Sequence, residues 1–266
     1  MHTTRIITGG ALGILAIVAV FTFSTFWFGG LCAVALTLAG LEWTCLLRLK
    51  KFSERLLFII ALWFCMWISW QYLIIVQYMA CLFWISAFLL LLRPMESLTW
   101  LRRKRVLLPI GLLILATTWA AATALHEYGH LIIFYMIMLV CFGDTGAYFV
   151  GVKFGRHKLA PTLSPKKSYE GLVGGLIIGS IAGMSIVIAM PGMNWRGYLI
   201  WAVLGLFLLI VAALGDLFES LLKRQVDLKD SGSLLPGHGG FLDRLDSLCA
   251  ALPVYLIVAK LAGLIP

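Results

Sequence analysis

Apolar runs of about 20 residues follow one another along almost the whole chain, each long enough for a helix to cross roughly 30 Å of hydrocarbon. They predict an all-α, polytopic membrane protein. About nine transmembrane helices are expected, near residues 7–23, 25–42, 56–71, 74–92, 106–124, 131–151, 172–190, 199–219 and 248–264. The charge content agrees, because only 12% of the 266 residues are charged and 62% are hydrophobic. A soluble domain carries about 25% charged residues. No polar stretch exceeds about 30 residues, so no separate soluble domain is expected.

The net charge of +9 is not spread evenly. Basic residues fall in four links: Arg48, Lys50, Lys51 and Arg55; Arg93 with Arg102 to Arg105; Lys153 to Lys167; and Lys223 to Arg244. Positive charge in alternate links marks the cytoplasmic side. The N-terminus is then inside and the C-terminus outside, with only Arg196 of the 21 basic residues in an outer link. This placement suits anionic lipid headgroups rather than nucleic acid. The first apolar stretch lacks a clear small-residue cleavage site and reads as a retained helix. The six cysteines lie in or beside apolar runs without a CxxC pair, and read as packing residues rather than as disulfides or zinc ligands.

Two parts are expected: residues 1–105, transmembrane helices of little chemical character, and residues 106–266, which carry polar segments 152–170 and 220–247 on one side. In the first part Glu42 and Glu54 read as helix-end residues. In the second, Asp144 and Asp216 each stand in the last turns of an apolar run just before a polar segment. Carboxylates inside a span are costly and usually face a cavity, a partner or an ion.

Residues 216–247 concentrate the chemistry. On a helix, Asp216, Ser220, Lys223 and Arg224 share one face. Asp227, Lys229 and Asp230 precede a turn, Pro236 to Gly240, whose glycines allow unusual backbone geometry and close approach. Asp243 and Asp246 then begin the last helix with their carboxylates on a shared side. Clustered carboxylates suit magnesium, and the lysines and arginines between them suit a polyphosphate.

The run S-x-x-K-R-x4-K-D-x5-P-G-H-G-G-x-x-D-R-x-D, Ser220 to Asp246, resembles the signature of the CDP-diacylglycerol synthase (phosphatidate cytidylyltransferase) family. A second block, Gly143 to Gly175, is similar to that family as well, whereas the N-terminal third matches only in hydropathy. The resemblance implies transfer of a cytidylyl group from CTP to phosphatidate, giving CDP-diacylglycerol and pyrophosphate. It also implies Mg2+, a monovalent cation such as K+, a homodimer, and a place in the cell membrane, the inner membrane if the source is a bacterium, with the active site facing the cytoplasm. Carried over by position, Asp216, Asp243, Asp246, Lys223 and His238 are the expected catalytic group. Asp216 and Asp243, then Asp144 and Asp246, are the expected metal ligands. Ser164, Lys167, Ser168, Arg224, Lys229, Asp230, Gly239, Gly240 and Arg244 are expected at the substrates. His238 fits either a proton donor to pyrophosphate or a loop hydrogen bond. One departure is visible: Ser164 to Gly171 reads S-P-K-K-S-Y-E-G where the family pattern is S-P-G-K-T-W-x-G, so Lys166 replaces a glycine and adds a charge.

Two other readings compete. His126-Glu127-Tyr128-Gly129-His130 fits H-E-x-x-H, the pattern of a zinc protease, but lies in an outer link and contains a helix-weakening glycine. A transporter would place its charges near the midplane between repeated halves. No repeat is visible here, and the charges gather at one face.

Overall fold

The computed structural model describes residues 2–190, 192, 194–232 and 239–266. Among these, nine α-helices follow in order: α1 His2–Thr22, α2 Thr25–Leu46, α3 Phe52–Gln71, α4 Leu73–Leu91, α5 Lys104–Tyr128, α6 His130–Phe154, α7 Tyr169–Ile188, α8 Trp195–Gln225 and α9 Asp246–Leu261. Lipid offers no hydrogen bonds to a backbone, so each crossing segment must satisfy its own, as a helix does. Seven, α2 to α8, are long and apolar enough to cross a membrane. The expected count of about nine is therefore met in helices but only in part as spans. The described apolar stretch of α1 is Gly13–Thr22, and α9 has 16 residues.

Burial separates lipid-facing helices from core helices. Only 22% of the apolar window of α3 and of α4 is buried inside the protein, against 61% for α5. Trp63, Phe64, Trp67, Leu82 and Leu89 stand exposed, as side chains facing lipid do. α9 is the opposite case. Cys249 to Ile257 are all buried, enclosed by α4, α5, α6 and α8. Pro253 lacks an N–H, which frees the carbonyl four residues earlier. Thr118 Oγ1 donates to that carbonyl, Cys249 O, at 3.3 Å. A helix enclosed in protein need not match the lipid thickness.

α6 and α7 touch through their backbones. Small residues recur every four positions on both, at Gly143, Ala147 and Gly151 and at Gly171, Gly175 and Gly179. A Cβ on Gly175 would lie 2.6 Å from Gly143 O, and one on Gly171 would lie 2.8 Å from Ala147 O. Such stripes let helices approach closely in membranes, where apolar burial alone gives little drive.

The connections converge on one end. Arg48 Nη2, in the α2–α3 link, donates to Val226 O at 2.7 Å. Gln225 Nε2 donates at 2.8 Å to Met95 O, in the 3-10 helix Met95–Arg102 that links α4 to α5. Arg224 Nε donates at 3.2 Å to Leu163 O, between β1 (Lys158–Ala160) and β2 (Ser164–Ser168). All three bonds tie a basic link to the C-terminal end of α8, the first through a carbonyl there and the other two through its side chains. The four basic clusters thus share one face of the bundle. Within polar segment 152–170, expected as a loop, β1 and β2 form a small antiparallel hairpin. The α6 helix also runs on to Phe154, and α8 to Gln225, shortening both polar segments.

Candidate active site

With 31 residues, α8 is about 46 Å long, so its last turns project beyond roughly 30 Å of hydrocarbon. Asp216, Glu219 and Lys223 recur there at i, i+3 and i+7, on one helical face. That face meets the turn into α9. Lys223 is 8% exposed, and a buried ammonium is stable only with charged partners. Its Nζ lies 2.7 Å from Asp243 Oδ1 and 3.5 Å from Glu219 Oε1. Asp243 also accepts from the N–H of Ser231 at 3.1 Å and of Gly240 at 3.0 Å. Burial pushes the Asp243 carboxyl up, but the Lys223 ammonium and these N–H donors outweigh it and hold the group below its ordinary range.

A second group surrounds Asp216. Lys167, on β2, forms an ion pair with it, and the two side chains are 27% and 26% exposed. Asp144, on α6, lies within electrostatic reach of Asp216, Lys167 and Arg244. Asp246, at the start of α9, lies within reach of Asp216, Glu219 and Asp144. Three helices therefore bring carboxylates to one place, with a lysine from the hairpin between them.

The shared side expected for Asp243 and Asp246 is not what forms. Asp243 sits on a 3-10 turn, Leu242–Arg244, and only Asp246 begins α9. Lys223 and the two backbone N–H groups draw Asp243 toward the link, while Asp246 joins Asp216, Glu219 and Asp144. Of the other expected site residues, Arg224 is anchored on Leu163 O and Leu228 O. Lys229, Asp230 and Arg244 are exposed, and Ser164 is half-buried. Ser168 is buried and caps α7, its Oγ accepting from Gly171 N at 3.1 Å. Gly239 has φ +84°, a conformation other residues resist. Gly240 is pressed against Ser231 and Glu42, so the close approach is of the loop to its own support. His238 lies outside the described residues, as do Pro236 and Gly237.

Among the described residues no three His, Cys, Asp or Glu side chains are set to hold a metal ion by themselves. Magnesium seldom needs such a cage, taking one or two carboxylates together with water and substrate phosphates. The hard oxygen donors of Asp144, Asp216 and Asp246 fit that demand. Buried Glu219 stands beside them, interacting with Lys223 and Asp246.

The model of the cytidylyltransferase family matches residues 3–262 of this chain. The chain belongs to that family. Among similar proteins, the phosphatidate cytidylyltransferase of Pseudomonas aeruginosa is 39% identical over 188 residues, 70% of this chain and 69% of that one. That of Bacillus subtilis is 43% identical over 138 residues, 51% of this chain and 50% of that one. That of Haemophilus influenzae is 42% identical over 133 residues, 48% and 45% of the two chains. The chain thus spans about half the length of the latter two.

Membership of this family absorbs the signature Ser220 to Asp246, but two of the site's acids were not singled out from sequence. Glu219 lies one residue from Ser220 and could have been found from its i+4 spacing to Lys223. Glu42 is 2% exposed and does not merely end a helix. Its Oε2 accepts from Ser231 Oγ at 2.9 Å and from Leu242 N at 2.8 Å. An isolated acid in an apolar run gives no sequence signal for such a partner.

The H-E-x-x-H run does not assemble a metal site. Gly129, at φ +155°, separates α5 from α6, so His126 and His130 belong to different helices. His126 is stacked on Phe28, with ring centroids 4.2 Å apart. Its Nε2 meets Val20 O at 3.1 Å and its Nδ1 meets Thr25 Oγ1 at 3.2 Å. Both ring nitrogens are spent on packing, at the opposite end of α5 from the basic links.

Proposed function

We propose that this chain transfers the cytidylyl group of CTP to phosphatidate, giving CDP-diacylglycerol and pyrophosphate for phospholipid synthesis. The observation that carries this reading is the meeting of Lys167, Lys223 and Arg244 with Asp144, Asp216 and Asp246 at one end of a membrane bundle, in a member of a cytidylyltransferase family. The enzyme is a nucleotidyltransferase, and its substrates meet at the interface. Phosphatidate arrives laterally with its acyl chains in lipid, and CTP arrives from the aqueous side.

A phosphatidate oxygen attacks the α-phosphorus of CTP in line, and pyrophosphate departs from the opposite side. The nucleophile is already anionic, so no strong general base is required. Catalysis rests on positioning and on neutralising charge. Lys167 exchanges Asp216 for the incoming triphosphate, since both partners of that pair are partly exposed. Lys223 stays with Asp243 and fixes the turn. Arg224, held by two carbonyls, keeps the hairpin beside α8, while Lys229 and Arg244 draw phosphates to the mouth. Mg2+, with K+ as the monovalent partner, would be held by Asp144, Asp216 and Asp246, with Asp243 alongside, and would neutralise charge on the triphosphate.

In this reading the helices make nine crossings, with the N-terminus and all four basic clusters on the cytoplasmic side and the C-terminus outside. The location is the cell membrane, the inner one in a bacterium, with the active site facing the cytoplasm. Residues 106–266 carry the carboxylates, and residues 1–105 form the flanking helices. The working unit is a homodimer, which the mass of the protein in detergent tests.

The decisive experiment is pyrophosphate release by purified protein supplied with CTP, Mg2+ and phosphatidate or another phospholipid. Release that requires phosphatidate is expected. Equal release with other phospholipids, or none with phosphatidate, overturns the proposal.

A further inference from the structure

The turn that carries Asp243 is held by two carboxylates from distant parts of the chain. Ser231, 1% exposed, is gripped at both ends. Its N–H donates to Asp243 at 3.1 Å, and its hydroxyl donates to Glu42 at 2.9 Å. Leu242 N donates to the same Glu42 oxygen at 2.8 Å, and Gly240 N donates to Asp243 at 3.0 Å. Residue 231 and residues 240–242 are thereby drawn together.

The space around Glu42 is fitted to it. A Cβ on Gly232 would lie 2.5 Å from Glu42 Oε1, and one on Gly240 would lie 2.6 Å from Oε2. Gly232 and Gly240 thus stand where the carboxylate approaches. An acid in an apolar helix is costly to keep. Its other oxygen, Oε1, is buried without a hydrogen bond. Packing alone would favour a hydrocarbon side chain here, whereas joining Ser231 to Leu242 requires an acceptor.

We infer that Glu42 is a positioning residue for cytidylyl transfer: it joins Ser231 to Leu242 and so fixes Asp243 and Lys223 relative to Asp216 and Asp246. The inference rests on the proposed reaction. It also assigns part of the site to the N-terminal third of the chain, which looked inert in sequence.

Glu42→Ala and Glu42→Gln should be compared with the unaltered full chain in detergent. The carbonyl of a glutamine can accept both bonds, so Glu42→Gln is expected to stay within about threefold of normal kcat. Glu42→Ala is expected to lower kcat at least thirtyfold while leaving KM for phosphatidate within about twofold. Hydrogen exchange at the Leu242 amide should accelerate at least tenfold in Glu42→Ala, a readout independent of turnover. Should Glu42→Ala fail to fold, Ser231→Ala removes only the hydroxyl bond and is expected to fold with a modestly lowered melting temperature and to lower kcat about fivefold. Normal kcat in folded Glu42→Ala, or in Ser231→Ala where the former does not fold, overturns the inference. So does unchanged Leu242 exchange in folded Glu42→Ala. An inactive unaltered chain would instead strike the proposed reaction.

Discussion

Lys223 Nζ and Asp243 Oδ1 lie 2.7 Å apart, and this pair joins the end of α8 to the turn before α9. Their side chains are 9% and 13% exposed, so the ion pair is largely desolvated. Removing one partner of a buried pair strands the other and costs about 3–5 kcal/mol. Asp243→Asn is therefore expected to abolish turnover and to lower the melting temperature of the protein in detergent. If Asp243 served only as a metal ligand, turnover would be lost with the melting temperature unchanged.

The same pair predicts an acid limit. Asp243 is held below its ordinary value in the folded protein, so its stabilising contribution is present above the unfolded value of about 3.9. It is lost as pH falls through the lower, folded value. Thermal unfolding followed from pH 6 downward should show a loss of stability beginning near pH 4, and Asp243→Asn should flatten it.

Lys167 and Lys166 are adjacent on β2 but have different settings. Lys167 is paired with Asp216, and Lys166 is exposed. Lys167→Met should lower kcat/KM for CTP by about 10- to 100-fold, or about 1.4–2.7 kcal/mol of transition-state stabilisation. Lys166→Met should change it less than threefold, because a solvated lysine acts only through a screened field. Steady-state pyrophosphate release measures both.

Charge placement made the common face of the basic links legible in sequence, and Arg48, Gln225 and Arg224 show how that face is tied together. The spacing of Asp216 and Lys223 on a continuous helix was legible too, because 3.6-residue periodicity survives into the link. The role of Glu42 was not. Its partner Ser231 is 189 positions away, and only tertiary packing brings α2 to that loop. Nor could spacing reveal that Asp243 and Asp246 diverge. Two acids at i and i+3 share a side only if both are helical, and Lys223 captures the first in a 3-10 turn.

The backbone contact of α6 with α7 gives a test of how the site is placed. Asp144 stands on α6 within two turns of Gly143, Ala147 and Gly151, and Lys167 leads directly into α7. A shift between these helices therefore separates Asp144 from Lys167 and Asp216. At Gly175 a methyl group would meet Gly143 O at 2.6 Å, and backbone cannot yield as a flexible side chain can. Gly175→Ala is expected to cost about 1–3 kcal/mol, seen as a lower melting temperature, and to reduce turnover through the displaced Asp144. Gly30→Ala is the control, since a Cβ there meets nothing within 4 Å; it replaces glycine within a helix and should be neutral or stabilising by up to about 1 kcal/mol. Unchanged melting temperature and turnover in Gly175→Ala would mean that α6 and α7 can part without disturbing the carboxylates, and that Asp144 is positioned by something other than this interface.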